Sequence, residues 1–135
     1  LMISGPTSLC ASDESAKKSE SSKTAPAAVT LPAGVRMERD LVYVPDGDNA
    51  QRLDLYLPVA TPEHPLPLIV HIHGGGWSGG SKFPCPLLHL VGRGYALASV
   101  DYRFSQKAKF PAQIQDCQAA LRWLRMTRSM LSALR

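Results

Sequence analysis

Three consecutive glycines between a histidine and a tryptophan form the stretch of this sequence with the clearest chemical potential. The stretch reads His73-Gly74-Gly75-Gly76-Trp77. It follows a short apolar, β-branched run over residues 66–72, which predicts a buried strand of a parallel sheet. Glycines lack a Cβ atom, so they can turn their amides toward a ligand and let it approach closely. Free N–H groups at a strand end suit a negative charge that develops on oxygen. The sequence therefore predicts an oxyanion-binding loop.

Two other interpretations of the same glycines have to be weighed. A run of glycines can form a tight turn that has no chemical role. A phosphate-binding loop is the second alternative, but the P-loop pattern requires Gly-Lys-Ser/Thr, and here Lys82 follows Ser81. The strand that precedes the glycines favours the oxyanion interpretation over both alternatives.

A serine within the glycine-rich stretch matches the nucleophile motif of hydrolases letter for letter. Gly76-Trp77-Ser78-Gly79-Gly80 fits Gly-x-Ser-x-Gly, but a nucleophile elbow needs a strand, a sharp turn and an immediate helix. Pro84 delays any helix, and the only later histidine, His89, precedes Asp101 and Asp116. This order does not fit an acid followed by a histidine, so Ser78 is not predicted to be a nucleophile.

Histidines and aspartates elsewhere in the sequence could suggest a triad or a metal site. His71 and His73 would share one face of a strand, but no carboxylate cluster accompanies them, so no metal site is predicted. Asp101, at the end of a predicted strand, and Asp116, in a predicted helix, are possible triad acids. We favour a structural role instead, in which Asp101 and Arg103 fix the loop that follows them.

Composition excludes several classes of protein. The chain has 135 residues, 44% hydrophobic and 19% charged, with a net charge of +4; these values are typical of a globular domain. The positive excess lies in four arginines near the C-terminus, Arg122, Arg125, Arg128 and Arg135, so no nucleic-acid partner is predicted. Three widely spaced cysteines indicate neither a disulfide framework nor a zinc site. No apolar run is long enough for a membrane span.

The elements before the glycines predict an antiparallel hairpin. Residues 37–44 have strand composition, and a turn cluster follows at 46–49. Residues 52–57 alternate strictly, with leucines on one face and Arg52, Asp54 and Tyr56 on the other. This alternation predicts a hairpin with one solvated face.

The elements after the glycines predict a strand–helix–strand unit and a longer helix. Prolines and glycines bracket a short helix over 84–91, and residues 95–101 read as a second buried strand. These two strands should be parallel, with a right-handed crossover. Pro111 opens a helix whose predicted buried stripe contains Ile114, Cys117, Leu121 and Leu124. The fold class is therefore α/β, with an antiparallel hairpin at the sheet edge.

Several stretches together resemble the first half of an α/β-hydrolase esterase, from about residue 52 to 125. They are Leu53-Asp54-Leu55-Tyr56-Leu57-Pro58, the His73–Trp77 stretch with Gly79-Gly80-Ser81-Lys82, Asp101-Tyr102-Arg103, Phe110-Pro111-Ala112 and Ala119-Ala120-Leu121-Arg122-Trp123-Leu124. The order and spacing resemble hormone-sensitive-lipase-like carboxylesterases and bifunctional acetylxylan/feruloyl esterases. Kynurenine formamidases share a similar His-Gly-Gly-x-Trp motif.

The resemblance implies a carboxylic ester hydrolase that uses a serine nucleophile and no metal or organic cofactor. It assigns the oxyanion donors to Gly75 and Gly76 and a loop-shaping role to His73, Gly74 and Trp77. The family's nucleophile elbow, acid and histidine follow later in the chain, so we expect this sequence to be a truncated, inactive N-terminal half of the fold. A formamidase-like amidohydrolase and a non-catalytic binding domain remain the alternatives.

The ends of the chain carry three further expectations. Residues 1–34 are expected to be a disordered tail with a possible signal-peptide remnant, and residues 35–135 a partial α/β-hydrolase domain. A secreted or periplasmic location follows from that remnant, with the cytoplasm as the alternative. In the family fold the nucleophile strand lies beside the glycine-loop strand, so its loss would leave an open sheet edge able to self-associate. The expected ligand is a small-molecule ester.

Overall fold

The computed structural model describes residues 30–133, with side chains through residue 128. The tail and signal-peptide predictions for residues 1–29 lie outside this range. The elements, in chain order, are β1 (Val35–Val42), β2 (Arg52–Pro58), β3 (Leu68–Ile72), a 3₁₀ helix (Leu88–Arg93), β4 (Ala96–Val100) and α1 (Ala112–Ala133). The mixed strand and helix content confirms the predicted α/β class.

The four strands form one sheet in the order β1-β2-β4-β3. β1 pairs with β2 and β2 with β4 in antiparallel fashion, while β3 pairs with β4 in parallel. The predicted hairpin and the predicted parallel pair are both confirmed. The connection between β3 and β4 contains the glycine stretch and a 3₁₀ helix, where the sequence predicted a short helix slightly earlier in the chain.

The predicted solvated face of β2 is wrong. Asp54 and Tyr56 are both fully buried, like the leucines between them. β2 lies inside the sheet, between β1 and β4, and both of its faces are covered. Tyr56 packs with Val91 of the 3₁₀ helix, and Leu55 packs in a separate cluster with residues of α1. Residues on β2 do alternate between two faces as predicted, but each face packs in its own hydrophobic core and neither faces solvent.

The outer strands differ from prediction in their bounds. β1 ends at Val42 rather than continuing to residue 44. Within the strand its register with β2 shifts between Glu38 and Leu41, where Asp40 adopts a φ of +55°. β3 begins at Leu68, after Pro67, and is only partly buried. Within the described part of the chain β3 has a neighbour on one side only, so it is an edge strand and not the buried strand predicted.

α1 begins after Pro111 as predicted, but the face it buries is different. Ile114 is 40% exposed and Cys117 is only partly buried. Leu124 is buried as predicted, but the other buried positions lie outside the predicted stripe and include two polar residues: Ala112, Gln113, Asp116 and Ala120. Gln113 and Asp116 face inward because their side chains form hydrogen bonds with other parts of the protein. Apolar periodicity alone therefore misplaces the buried face of α1.

Candidate active site

The carboxyl ends of β3 and β4 meet at one edge of the sheet because the two strands are parallel. The glycine stretch leaves the end of β3, and Asp101, Tyr102 and Arg103 leave the end of β4. The topology therefore brings together two of the motifs that the sequence analysis singled out. We call residues 73–82 the glycine loop.

The glycine loop is a tight turn built on left-handed backbone conformations. Gly75 and Gly76 have φ values of +120° and +60°, and Trp77 follows at +65°. The Ser78 N–H and its hydroxyl both donate to the Gly75 carbonyl, each at 3.1 Å. A bulky side chain at positive φ is strained, and such strain persists only where the surroundings determine the conformation.

The segment after β4 holds the far side of this turn. The Ser105 N–H donates to the Trp77 carbonyl at 2.8 Å, and the Gln106 side-chain amide donates to the Ser78 carbonyl at 3.0 Å. Both bonds use carbonyl groups of the loop, so they fix the turn without occupying its donors.

Two backbone donors of the loop are left open. Within residues 30–133 the N–H groups of Gly75 and Gly76 have no protein acceptor, and both residues are exposed. An unpaired N–H that faces solvent is available to a ligand, and a donor fixed in advance costs no reorganisation when charge develops on that ligand. The structure thus leaves the two predicted donors accessible.

His73 begins the loop and is only 8% exposed. Its Nδ1 lies 2.7 Å from the Gly74 carbonyl oxygen; a carbonyl only accepts, so the proton is assigned to Nδ1. Its ring stacks on Tyr102 with centroids 4.6 Å apart, and the Tyr102 hydroxyl donates to the His73 carbonyl at 3.0 Å. Nε2 lies 3.3 Å from Asp101 Oδ1 in a geometry that falls short of a hydrogen bond. His73 is therefore engaged within the protein.

Lys82 ends the loop and is also buried. Its Nζ lies 3.0 Å from carboxylate oxygens of both Asp54 and Asp40. Its N–H donates to Asp101 Oδ1 at 2.5 Å, and its carbonyl accepts from the Ser99 hydroxyl at 2.7 Å. Burial alone would lower the pKa of Lys82, but the hydrogen bonds to the two carboxylates outweigh it and raise that pKa. All polar groups of this residue are paired.

Asp101 and Arg103 were predicted to fix the loop that follows them, but they also contact other parts of the protein. Asp101 binds the preceding glycine loop, and burial raises the pKa of its carboxyl above the ordinary value. Arg103 forms a bidentate pair with Asp116, with N–O distances of 2.7 and 2.8 Å. Burial alone would raise the pKa of Asp116, but hydrogen bonds from Arg103 and Gln51 lower it. Asp116 therefore anchors α1 as an ion-pair partner.

Aromatic rings line the exposed side of the loop. Trp77 is 41% exposed and Phe110 is 76% exposed, and their rings meet edge to face with centroids 6.4 Å apart. Trp77 makes a similar contact with Tyr102. Large aromatic side chains beside open N–H donors form an apolar surface next to a polar one, which is the usual composition of a ligand site.

Ser78 does not occupy a nucleophile elbow. It lies in the turn that follows β3, its hydroxyl donates to a carbonyl, and the next helix begins only at Leu88. Sequence reasoning missed Tyr102 and Lys82 as supports of the loop. The only indication of this role in the sequence is that both residues lie in the stretches that resemble the esterase family.

The described residues contain neither a metal-binding cluster nor a membrane-spanning helix. Among residues 30–133 no group of three His, Cys, Asp or Glu side chains is placed to hold a metal ion. In the same part of the chain no helix is both long and apolar enough to cross a bilayer.

Comparison with known proteins identifies the family. The family model designated BD-FAE matches residues 53–132, which is more than half of the chain. The chain therefore belongs to this family, and the sheet described above is that of an esterase with the α/β-hydrolase fold.

Individual relatives agree with this assignment. Carboxylesterase NlhH of Mycobacterium tuberculosis is 45% identical over 62 residues, covering 44% of this chain and 19% of that protein. Esterase LipC of M. tuberculosis is 32% identical over 81 residues, covering 58% and 20%. The structure of inhibited esterase B from Lactobacillus rhamnosis superimposes with a TM-score of 0.60 at 34% identity, covering 73% and 32%. The chain thus spans about a fifth of the length of these curated relatives.

The loop geometry predicts that alanine lowers stability at one glycine of the loop and leaves it almost unchanged at the neighbouring glycine. A Cβ atom on Gly75 would lie 2.6 Å from the Gly79 carbonyl carbon and closer still to its oxygen, at a φ of +120°, whereas a Cβ on Gly74 meets nothing within 4 Å. We expect Gly75→Ala to lower the free energy of unfolding by about 1–3 kcal/mol and Gly74→Ala to change it by less than about 0.5 kcal/mol. Urea denaturation measures both. Equal effects at the two positions would contradict the described turn.

Proposed function

We propose that this chain supplies the oxyanion loop of a serine esterase that acts through an acyl-enzyme. The observation that carries the proposal is the pair of open N–H donors on Gly75 and Gly76, fixed in a strained turn at the carboxyl ends of parallel strands. Membership of an esterase family supports it. His73, Gly74 and Trp77 shape the turn that presents these donors.

In the proposed reaction a serine oxygen attacks the ester carbonyl, and the carbonyl oxygen becomes negatively charged in a tetrahedral intermediate. The two glycine N–H groups donate to that oxygen more strongly than to the neutral ester, so they lower the barrier. One such donor contributes about 3–4 kcal/mol in hydrolases. No metal or organic cofactor enters this scheme.

The nucleophile, acid and histidine of the proposed triad are supplied by residues outside this chain. Ser78 is turned into a carbonyl contact, Asp116 is paired with Arg103, and His73 is buried within the loop. None of these side chains is both accessible and linked to a partner in the serine–histidine–acid order that the chemistry needs.

The proposed substrate is a small ester, bound beside Trp77 and Phe110. The two exposed rings border the open donors and offer an apolar surface to the acyl or alcohol group. A formamide or another amide would develop the same oxyanion, so the loop alone does not choose between these substrates. A non-catalytic binding domain is the alternative from another class, and it too would use this surface.

Hydrolysis of p-nitrophenyl acetate tests the proposal. The purified 135-residue chain should hydrolyse it at the background rate, and Ser78→Ala should change nothing, because donors without a nucleophile give little catalysis. The product of the full reading frame that contains this chain should hydrolyse the ester, and Gly75→Ala should lower its kcat by about 10²-fold or more. Gly92→Ala is the matched control and should leave kcat near wild type, because Gly92 lies outside the glycine loop and a Cβ atom there meets nothing within 4 Å.

Two results would contradict the proposal. Activity of the short chain that disappears in Ser78→Ala would make Ser78 the nucleophile. A full-length product with no activity toward esters or amides would favour the non-catalytic binding domain.

We further propose that the chain as given self-associates through β3. The strand has no charged residue and no internal proline or bulge, which are the devices that usually protect an edge. Leu68 and Ile72 are 40% and 47% exposed. Antiparallel pairing of two copies centred on Val70 would place Leu68 opposite Ile72 of the second copy, covering both.

Sedimentation equilibrium of three proteins tests this association. The wild-type chain should show concentration-dependent self-association, and Ile72→Lys should be monomeric because a buried ammonium group opposes pairing. Val59→Lys is the control, since Val59 is 63% exposed but lies outside β3, and it should associate like wild type. A monomeric wild-type chain, or equal loss of association in both variants, would refute the β3 interface.

A further inference from the structure

A single carboxylate contacts both ends of the glycine loop. Asp101 Oδ1 accepts the Lys82 N–H at 2.5 Å and lies 3.3 Å from His73 Nε2. The first contact fixes the residue that ends the loop, and the second faces the residue that begins it. One carboxylate thus lies against both ends of the ten-residue loop, with a hydrogen bond at Lys82 and a contact without a hydrogen bond at His73.

The backbone of Asp101 is itself tied to the sheet. Its N–H donates to the Arg52 carbonyl at 2.9 Å, and its carbonyl accepts from the Tyr43 hydroxyl at 2.8 Å. Asp101 follows β4, whose five residues are all buried. The carboxylate is therefore attached to a hydrogen-bonded backbone that follows a buried strand, whereas the loop that it contacts is mostly exposed.

We propose that Asp101 is a positioning residue that sets the conformation of the glycine loop, and with it the placement of the Gly75 and Gly76 donors. It does not touch the substrate. It acts through the hydrogen bond that it accepts from the Lys82 N–H, which fixes the end of the loop beside His73, so that the turn between these residues keeps its left-handed conformations. The catalytic consequence rests on the proposed function, whereas the effect on loop conformation does not.

Neighbouring contacts show why this carboxylate is needed in addition to the others. Lys82 Nζ is held by Asp54 and Asp40, but that long side chain fixes the ammonium group rather than the backbone. Tyr102 fixes the His73 carbonyl, which lies on the strand side of the loop. The Asp101 carboxylate binds the backbone N–H at the end of the loop and lies beside the His73 ring at its start.

Amide hydrogen exchange on the full 135-residue chain, at a concentration where it is soluble, tests the proposal. The Lys82 amide reports the direct contact, and the Ser78 amide, bonded to the Gly75 carbonyl, reports the turn at a distance from Asp101. Asp101→Ala should lower protection at both amides by about tenfold or more. Amides of Leu97 and Ala98 in β4 should stay within about twofold of wild type.

Asp101→Asn is the conservative variant. Its amide oxygen can still accept the Lys82 N–H, and its NH2 group can donate to His73 Nε2, which carries no proton in the assigned tautomer. The Lys82 and Ser78 amides should therefore both stay within about twofold of wild type. If Asp101→Ala does not fold, Asp101→Leu, which is similar in shape and has no acceptor, takes its place.

Asp116→Asn is the matched control, because it removes another carboxylate charge, one that joins α1 to Arg103 and does not bind the glycine loop. It should leave the Ser78 amide unchanged relative to β4. Two results would overturn the proposal: unchanged Ser78 protection in the folded Asp101→Ala or Asp101→Leu variant, or an equal loss at Ser78 and in β4, which would make Asp101 a general support of the fold. Neither result bears on whether Gly75 and Gly76 bind an oxyanion, which the kcat comparison tests separately.

Discussion

Five residue pairs join β3 to β4 in parallel register, from Leu68–Ala96 to Ile72–Val100. The rest of the site depends on this pairing, because it directs the chain out of both strands at the same edge. The glycine loop and the segment that begins at Asp101 consequently meet within hydrogen-bonding distance. In an antiparallel pair the two segments would leave at opposite edges, and neither the loop nor its anchors could form.

The loop itself has little apolar surface to bury, so polar contacts hold it. Backbone and side-chain donors bind several of its carbonyl groups, and Tyr102 and Asp101 bind the backbone at its two ends, while the N–H groups of Gly75 and Gly76 stay open. A loop fixed through its acceptors keeps its donors free for a ligand, which is the arrangement that oxyanion stabilisation requires. The strained Trp77 backbone fits this view, since strain is retained where neighbouring contacts determine the conformation.

The sequence predicted the parts of the fold that local patterns encode. The hairpin, the parallel β3–β4 pair, the buried β4 and the start of α1 followed from apolar runs and turn residues, and the glycine loop from its composition. The pattern failed where a polar residue is buried against a distant partner. Asp54 was predicted to face solvent because its partner Lys82 lies 28 residues away in the sequence. Asp116 takes a buried position on α1 that was predicted for Ile114, because Arg103 and Gln51 pair with it. Such pairs leave no periodic signal.

The most direct test of this account is an NMR titration of the chain with ethyl methylphosphonate, an anion that mimics the tetrahedral oxyanion. The N–H resonances of Gly75 and Gly76 should move downfield and saturate, because hydrogen bonds to an anion deshield the donor proton, while Gly92, which is also exposed, should not move. Saturable shifts at Gly75 and Gly76, with the shift at Gly76 weakened in Gly75→Ala, would support the oxyanion loop. No shift at either glycine, or equal shifts at Gly92, would contradict it.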